Sequence, residues 1–194
     1  MTAATTGQRP DGTIEVPWAS QPDHQCFGCS PHNASGLRLR FEEDEDGGLR
    51  TRLRLARIHE SYPGVVHGGI VSTVCDEIMG NLVVLRYGTP AFTTALRIRY
   101  LSPLAVDRDY VCVARLRADK GGPETVHAVA EVLDATGEVM ATASAGYRCV
   151  DMDRAREHIR MTDPDAAALT ERLAAERTTD PSTDLTNTLH RTER

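Results

Sequence analysis

The residues between positions 62 and 80 have the types and spacing best suited to catalysis. His67, Gly68 and Gly69 stand immediately before an apolar segment that contains Asp76. Two glycines at a helix start permit close backbone approach and leave amide groups unpaired, and the helix dipole favours negative charge beside them. Asp76 follows after about two turns, among apolar side chains where an unpaired carboxylate would be costly. This spacing predicts a backbone site for a developing oxyanion, followed by a carboxylate whose burial requires either a partner or a function.

Structural roles compete for the same side chains. Asp76, or Glu77 beside it, could cap, pair with an arginine such as Arg97, or face water at the helix edge. A histidine ahead of a Gly-Gly helix start, as at His67, more often donates a hydrogen bond that orients the loop than acts as a base. Cys75 could be a nucleophile, but no histidine is obviously placed to activate it. The residue types alone are compatible with both interpretations.

The elements around these residues predict the fold. From Gly69 to about Tyr87 apolar residues recur at intervals of three and four, which predicts a largely buried helix. Alternating segments at 37–41 and 49–55 flank a glycine turn and predict a hairpin with one solvated face. Four strand-like segments follow the helix, at 92–101, 109–118, 124–134 and 138–150. The order predicts an α+β fold in which one antiparallel β-sheet wraps around one long central α-helix.

The ends of the chain differ in composition from its centre. We predict three regions, a flexible N-terminal tail over 1–17, a single domain over 18–152 and a C-terminal tail over 153–194. Thr162 as N-cap and Pro164 in the first turn predict a short helix that reaches Leu173 within the second tail. Beyond Arg177 the apolar side chains are too sparse to offset the entropy of ordering, so we expect that tail to be partly disordered.

Composition and charge argue against several functions. The formal net charge is −6, without the basic surface that binding to nucleic acid or anionic membranes requires. Lys120 is the only lysine, and its turn at 119–123 indicates a solvated amine rather than one activated for Schiff-base chemistry. No segment approaches the ~18 consecutive apolar residues of a membrane span, and the N-terminus lacks a signal-peptide apolar region. We expect a cytoplasmic protein that binds neither nucleic acid nor membranes.

The cysteines offer one metal hypothesis. Cys26 and Cys29, flanked by His24 and His32, have the types and spacing of a zinc knuckle. No second Cys-x-x-Cys pair completes a tetrahedral site, so the sequence predicts no metal site. The other cysteines lie in apolar segments and are expected to be small core residues.

Several motifs occur in a telling order along the chain: Cys26-Phe27-Gly28-Cys29, Asn33, Gly36-Leu37, Tyr62-Pro63-Gly64, His67-Gly68-Gly69, Asp76-Glu77, Gly80 and Arg99-Tyr100-Leu101-Ser102-Pro103. In this order they resemble the hotdog-fold acyl-CoA thioesterases of the PaaI-like family. The resemblance extends from about Cys26 to Val150. Its most specific part is the His-Gly-Gly element with an aspartate nine residues after the histidine.

The resemblance implies a hotdog fold whose subunits form a homodimer, or a dimer of dimers, with active sites at the interface. It implies that the Gly68 N–H polarises the thioester carbonyl at a helix start that His67 and Gly69 complete. Asp76, supplied by the partner subunit, would act as general base or as nucleophile. Hydrolysis of an acyl-CoA to a free acid and coenzyme A would then need no cofactor, because coenzyme A is part of the substrate.

The resemblance also implies further substrate contacts. Thr93, with Thr94 as its neighbour, matches a position that helps hold the nucleophilic water, although ordinary β-propensity explains a threonine there equally well. Relatives often carry an amide side chain shortly before His-Gly-Gly to orient the carbonyl. Here Glu60 or Ser61 stands in that place, and an acid there could repel an anionic acyl group. Surface arginines such as Arg97 would meet the phosphates of coenzyme A.

Two other functions are compatible with the same fold. Hotdog hydratases and dehydratases usually carry an Asp/His pair at the helix entry, whereas here His67 precedes the glycines and no histidine lies on the helix. A non-catalytic acyl-CoA sensor would be expected to carry a DNA-binding appendage, and the tails here are short and not basic. The sequence therefore favours a thioester hydrolase.

Overall fold

The computed structural model describes residues 11–21, 23–44, 46–117 and 125–176. Within these residues seven strands form one antiparallel sheet in the order β1-β2-β3-β5-β6-β7-β4. The strands are β1 (Thr13–Ile14), β2 (Phe41–Glu43), β3 (Leu49–Arg54), β4 (Ala91–Tyr100), β5 (Asp109–Leu116), β6 (Thr125–Asp134) and β7 (Val139–Cys149). The helices are α1 (Gly68–Tyr87), α2 (Met152–Arg156) and α3 (Asp163–Glu176), with short 3-10 turns at Pro17–Ser20 and Arg57–His59. The predicted antiparallel sheet around one long helix is confirmed.

α1 lies at the centre of the domain because its sequence is apolar around most of its circumference. Its buried residues are Val71, Val74, Cys75, Ile78, Met79, Asn81, Leu82, Val83 and Val84. The helix ends at Gly88, whose φ of 63° is left-handed and whose N–H donates to the Val84 carbonyl at 2.9 Å. In the described part of the chain, α1 is also the one helix long and apolar enough to cross a membrane. Here it is the core helix, since the sheet packs on it from β3 to β4.

The face of the sheet toward α1 is lined by small side chains. The alanines at 128, 130, 141, 143 and 145 are all at most 6% exposed. Small residues allow the helix backbone to approach the strands closely, which excludes water from the region between the layers. Tyr147 continues the same inward row on β7 and is the largest fully buried side chain.

β4 is an edge strand that bonds to β7 on one side, and no other described strand pairs with its second edge. Its register with β7 shifts between Thr93 and Ala95, which is a β-bulge. Because of the shift, Thr93 and Leu96 both stand opposite buried residues of β7 and face α1. Arg97 and the arginine two positions on face the other side of the sheet.

The first predicted hairpin is shorter than expected. The strand predicted at 37–41 begins only at Phe41. The amides of Leu37 and Leu39 donate instead to the carbonyls of Phe27 at 2.7 Å and Gly28 at 2.9 Å. This segment is therefore tied to the Cys-x-x-Cys loop, because that loop takes the donors a sheet partner would have used.

Parts of both predicted tails belong to the folded domain. Within the predicted tail 1–17, β1 pairs with β2. The predicted helix in the second tail is confirmed as α3, and the Thr162 hydroxyl accepts the Asp165 N–H at 3.3 Å. Leu169 and Leu173, one turn apart, are buried with Val84 of α1, so the domain extends past position 152. Lys120 with its turn and the segment from 177 onward lie outside the described residues.

Candidate active site

The loop before α1 forms the predicted Gly-Gly helix start. His67 is the N-cap, and its Nδ1 accepts the Gly69 N–H at 2.9 Å. The His67 amide donates to the His59 carbonyl at 2.8 Å, which ties the helix start to the preceding 3-10 turn. His67 thus orients the loop as the structural interpretation proposed, although as a hydrogen-bond acceptor rather than a donor. Among the described groups none accepts from the Gly68 N–H, so this amide is available to a ligand, whereas the Gly69 amide is not.

Tyr100 and Ser72 hold Gly68 in place. The Tyr100 hydroxyl donates to the Gly68 carbonyl at 2.8 Å and lies 2.8 Å from the Ser72 hydroxyl, which also donates to that carbonyl at 3.0 Å. A Cβ atom at Gly68 would stand 3.2 Å from the Tyr100 hydroxyl, so the close approach of β4 to the helix start favours glycine. The Gly68 peptide is therefore fixed by side chains from both the helix and the sheet.

Asp76 is held by two hydroxyl donors on one oxygen. Oδ1 accepts from Thr93 Oγ1 at 3.0 Å and from the Tyr147 hydroxyl at 2.9 Å, while Tyr147 also lies 3.1 Å from the Asp76 carbonyl. No group in the described structure donates to Oδ2, which leaves that oxygen available to a water molecule or a substrate. The structure thus places Thr93 at Asp76, and no ion pair joins Asp76 to Arg97 in the described residues.

The two predicted catalytic groups are far apart along one helix. Asp76 follows Gly68 by eight positions, and at about 1.5 Å per residue the two stand roughly 12 Å apart. A base and an oxyanion donor must both lie about 3 Å from the same reacting group. One chain alone therefore presents two half-sites rather than one complete site.

Glu60 and Ser61 shape the loop ahead of the helix. Glu60 Oε1 accepts the Gly64 N–H at 2.9 Å, and its other oxygen lies 3.5 Å from Arg57 Nε. The Ser61 amide donates to the Val65 carbonyl at 2.9 Å, and its side chain is exposed. The Glu60 carboxylate is thus bound to its own loop and partly neutralised. A contact of either residue with substrate stays a prediction.

Thr94 and Arg97 lie apart from Asp76. The Thr94 hydroxyl donates to the Gly146 carbonyl at 2.9 Å, where it stabilises the β-bulge. Arg97 lines a groove of about 570 Å³ on the outer face of the sheet, together with Arg99 and Arg115. The arginines could meet phosphates there, but within one chain the sheet separates them from the Asp76 carboxylate. Coenzyme binding by Arg97 likewise stays a prediction.

A second polar cluster lies on the other side of Asp76. It contains a ring nitrogen of His24 and the sulfur atoms of Cys26 and Cys29, and these three atoms lie within 4.8 Å of one another. Both carboxylate oxygens of Glu77 are 3.3 Å from Cys26 Sγ, and Asn81 Nδ2 donates to Glu77 Oε1 at 2.9 Å. The N-terminal Cys-x-x-Cys loop therefore meets α1 at the residue directly after Asp76.

Burial and mutual contact shift the titration of this cluster. Burial, together with the neighbouring Cys26 sulfur, raises the pKa of Glu77 to about 7. Hydrogen bonding from Cys29, with a further contribution from His24, lowers the pKa of Cys26. Cys75, by contrast, is fully buried, and its thiol hydrogen-bonds Cys112, whose pKa it raises together with burial. Cys75 is a core residue and not an accessible nucleophile.

The sequence analysis did not predict the contacts of Tyr147, Tyr100 and Glu77. Tyr147 is 1% exposed, and a buried tyrosine hydroxyl requires a hydrogen-bond partner. That requirement is the signal that could have pointed to Tyr147. The signal at Tyr100 was its position beside the Ser-Pro turn. The signal at Glu77 was an acidic side chain on an otherwise apolar helix. Their partners could not be read because they come from other parts of the chain.

Comparison with known proteins identifies the fold. The thioesterase superfamily profile matches residues 63–141, which span α1 and the site. No curated protein matches the chain significantly. The crystal structure of a thioesterase superfamily protein is 21% identical with a TM-score of 0.58, over 64% of this chain and 60% of that one. This chain thus spans less than two thirds of that protein's length.

Two further crystal structures give the same result. A hypothetical thioesterase from Streptococcus pneumoniae TIGR4, solved with coenzyme A, is 23% identical with a TM-score of 0.52, over 58% of this chain and 89% of that one. The Escherichia coli PaaI protein, from the phenylacetic acid degradation operon, is 16% identical with a TM-score of 0.53, over 59% and 80%. The sheet order and the buried helix agree with these structures, so the domain has the hotdog fold, and its residues 63–141 are similar to the thioesterase superfamily.

Proposed function

We propose that this protein is an acyl-CoA thioesterase that hydrolyses an acyl-CoA to a free acid and coenzyme A. The observation that carries the proposal is the Asp76 carboxylate, held at Oδ1 by Thr93 and Tyr147 with Oδ2 unengaged. A carboxylate oriented in this way can remove a proton from water as it attacks, or attack the thioester itself. A thiolate leaves readily, so no strong general acid is required.

The second component is the unpaired Gly68 N–H at the start of α1. It would accept the developing negative charge of the thioester oxygen, and the aligned helix dipole favours that charge. His67 is engaged in capping, which argues against an acid–base role and hence against the hydratase or dehydratase alternative.

The separation of about 12 Å between the two groups supports a dimeric site. We propose that Gly68 of one subunit faces Asp76 of the partner subunit, so that two half-sites combine twice across a two-fold axis. The free edge of β4 is a suitable contact surface, because Leu96, Tyr100 and Leu101 are 37%, 51% and 46% exposed there. Pairing of two β4 edges would satisfy the open backbone groups and cover these apolar side chains.

The similar proteins support the same substrate class. The Streptococcus pneumoniae protein was solved with coenzyme A. One aspartate and one threonine of that protein were replaced by alanine in two further structures, and these are the residue types that form the Asp76–Thr93 pair here. The acyl group is unassigned.

The test is a hydrolysis screen over short, medium, long and aromatic acyl-CoAs with the full chain. Free coenzyme A is measured by chromatography, because partly exposed thiols such as those of Cys26 and Cys149 would react with thiol reagents. We expect turnover of at least one class, and a fall of about 100-fold or more in Asp76→Ala. Asp153→Ala, which removes an exposed carboxylate on α2, is the matched control.

The outcomes separate the alternatives. Full activity in a folded Asp76→Ala variant would contradict the mechanism. Tight acyl-CoA binding without turnover of any class would favour the sensor, and formation or loss of water across a carbon–carbon double bond would favour the hydratase. Asp76→Asn keeps the shape of the side chain, so its activity reports whether the negative charge is required.

A further inference from the structure

The His24–Cys26–Cys29 cluster has dimensions that match a tetrahedral metal site. With metal–sulfur bonds of about 2.3 Å and metal–nitrogen or –oxygen bonds of about 2.0–2.1 Å, the ligand atoms of a zinc site stand roughly 3.3–3.8 Å apart. Here Cys26 Sγ is 3.3 Å from the Glu77 oxygens, and Cys29 Sγ is 3.8 Å from His24 Nε2. These two separations fall in the range of such edges, and the ligand atoms of His24, Cys26 and Cys29 all lie within 4.8 Å of one another.

The loop that carries the cysteines is built to hold them together. The Gly28 N–H points at Cys26 Sγ at 3.3 Å, an arrangement that stabilises a thiolate. The Ser30 amide donates to the Cys26 carbonyl at 3.2 Å, and its hydroxyl donates to the His24 carbonyl at 2.6 Å. The loop is therefore fixed by its own backbone and by Ser30, and not only by contact with the helix.

Gly28 shows how closely this loop approaches α1. A Cβ atom at Gly28 would lie 2.4–2.5 Å from the Glu77 carboxylate, a distance that real Cβ contacts do not reach. Glycine at position 28 therefore permits the Glu77 carboxylate to reach the Cys26 sulfur. The glycine in Cys-Phe-Gly-Cys serves the approach of a ligand-type side chain from the helix.

Glu77 has the chemistry of a fourth ligand. Both oxygens of its carboxylate lie 3.3 Å from the Cys26 thiol on the shielded side of α1, and no arginine or lysine of the described residues bonds to it. Such a carboxylate is unfavourable without a compensating cation. Asn81 donates to Oε1, and Oε2 lies 3.3 Å from Cys26 Sγ. An amide that holds one oxygen in this way can orient the carboxylate as a metal ligand.

We propose that His24, Cys26 and Cys29 bind one zinc ion, and that the Glu77 carboxylate, which already contacts Cys26, moves toward the ion to complete a closed, structural site. Two thiolates, one imidazole and one carboxylate form a ligand set suited to zinc rather than to magnesium or calcium, which take oxygen ligands. With four protein ligands no position is left for water, so the ion joins the N-terminal loop to α1 and takes no part in hydrolysis. The sequence predicted no metal site because it contains no second Cys-x-x-Cys pair. In this proposal the fourth ligand comes from α1 instead, so the missing pair does not exclude the site.

The test begins with the zinc content of the full chain, purified under reducing conditions and measured by elemental mass spectrometry. We expect about one zinc per chain. The chain is then stripped with a chelator and titrated with cobalt(II). Cobalt bound by two thiolates in a tetrahedron gives intense visible bands and sulfur-to-metal charge transfer in the near ultraviolet. Added zinc should displace these bands.

Variants assign the ligands. Cys26→Ser and Cys29→Ser should each lose most of the zinc, and Glu77→Gln should weaken retention and change the visible cobalt spectrum. Cys149→Ser, which removes a thiol outside the cluster, is the matched control and should retain the wild-type content. Because a ligand variant can fail to fold, the cobalt titration of the wild-type chain stands as an independent measurement.

Two results would overturn the proposal. One is a folded wild-type chain that holds zinc below about one tenth of an equivalent and shows no thiolate–cobalt bands on titration. The other is a disulfide between Cys26 and Cys29 in the protein purified without reductant, together with no measurable zinc binding after the disulfide is reduced. If Glu77→Gln left both affinity and spectrum unchanged, the assignment of the fourth ligand would be wrong.

Discussion

The buried hydroxyl of Tyr147 donates a hydrogen bond of 2.9 Å to Oδ1 of Asp76, joining the C-terminal part of β7 to the middle of α1. Together with Thr93 it fixes the orientation of the carboxylate and directs its other oxygen away from the sheet. In the proposed mechanism Tyr147 is a positioning residue, since it would act on the reaction through Asp76.

We expect Tyr147→Phe to lower kcat by about 10- to 100-fold, with a smaller change in KM, because a hydrogen bond to a charged group contributes roughly 1.5–3 kcal/mol. Steady-state kinetics measures this. Tyr110→Phe is the control, since Tyr110 is also buried but hydrogen-bonds Ala105. Equal effects of the two substitutions would indicate a general loss of packing instead of misplacement of Asp76.

The same contact predicts a pH dependence of stability. Burial and the Asp76 charge raise the pKa of Tyr147 above its usual value of 10. Above pH 10 the unfolded chain ionises this tyrosine while the folded protein keeps it protonated, so the folded state binds more protons and the free energy of unfolding falls as the pH rises. Denaturant titrations between pH 8 and about 11 should show a steeper decline in wild type than in Tyr147→Phe. Parallel curves would contradict the assignment.

Substitution at the helix start separates the amide from its neighbours. Gly68→Pro removes the N–H at the first helical position, where proline is tolerated and the extended His67 backbone suits it. We expect kcat to fall by about 100- to 1000-fold, the usual effect of removing one oxyanion donor. Gly68→Ala adds the same crowding at Tyr100 but keeps the N–H, so the difference between the two variants isolates the amide. Similar activities would remove Gly68 from the mechanism.

Mixing two inactive variants tests whether the site is shared between subunits. After Gly68→Pro and Asp76→Ala chains are unfolded together and refolded, about half of the dimers are mixed, and each holds one site with both groups intact. Activity should then recover to about a quarter of wild type. Recovery requires that the two groups of one site come from different chains. If the mixture stays at the level of the separate variants, both groups act within one chain.

The C-terminal helix makes a stability prediction. Leu169 is fully buried against the end of α1, whereas Glu171 on the same helix is exposed. Leu169→Ala should lower the free energy of unfolding by about 2–4 kcal/mol through loss of burial and the cavity left behind. Glu171→Ala should change it by less than about 0.5 kcal/mol. Chemical denaturation measures both, and a negligible effect at Leu169 would mean that α3 does not pack on the domain in solution.

The regular elements could be predicted because their information is local. The apolar period predicted the start of α1 to within one residue. Every end of the four later strands was predicted to within two residues. The partners of single side chains depend on contacts between distant segments. Tyr147 lies 71 positions from Asp76, and Cys26 lies 51 from Glu77. Neither separation is visible as a period, which is why the hydrogen bonds of the site and the fourth ligand of the cysteine cluster were not foreseen.

The β-bulge in β4 changes which residues of the strand face α1. Thr93 and Leu96 are an odd number of positions apart, and in a regular strand they would face opposite sides. The bulge lets the polar residue that holds Asp76 and the apolar residues that cover the helix point the same way. The two parts of the strand are therefore independent in register. Side chains after the bulge can change while Thr93 still faces Asp76.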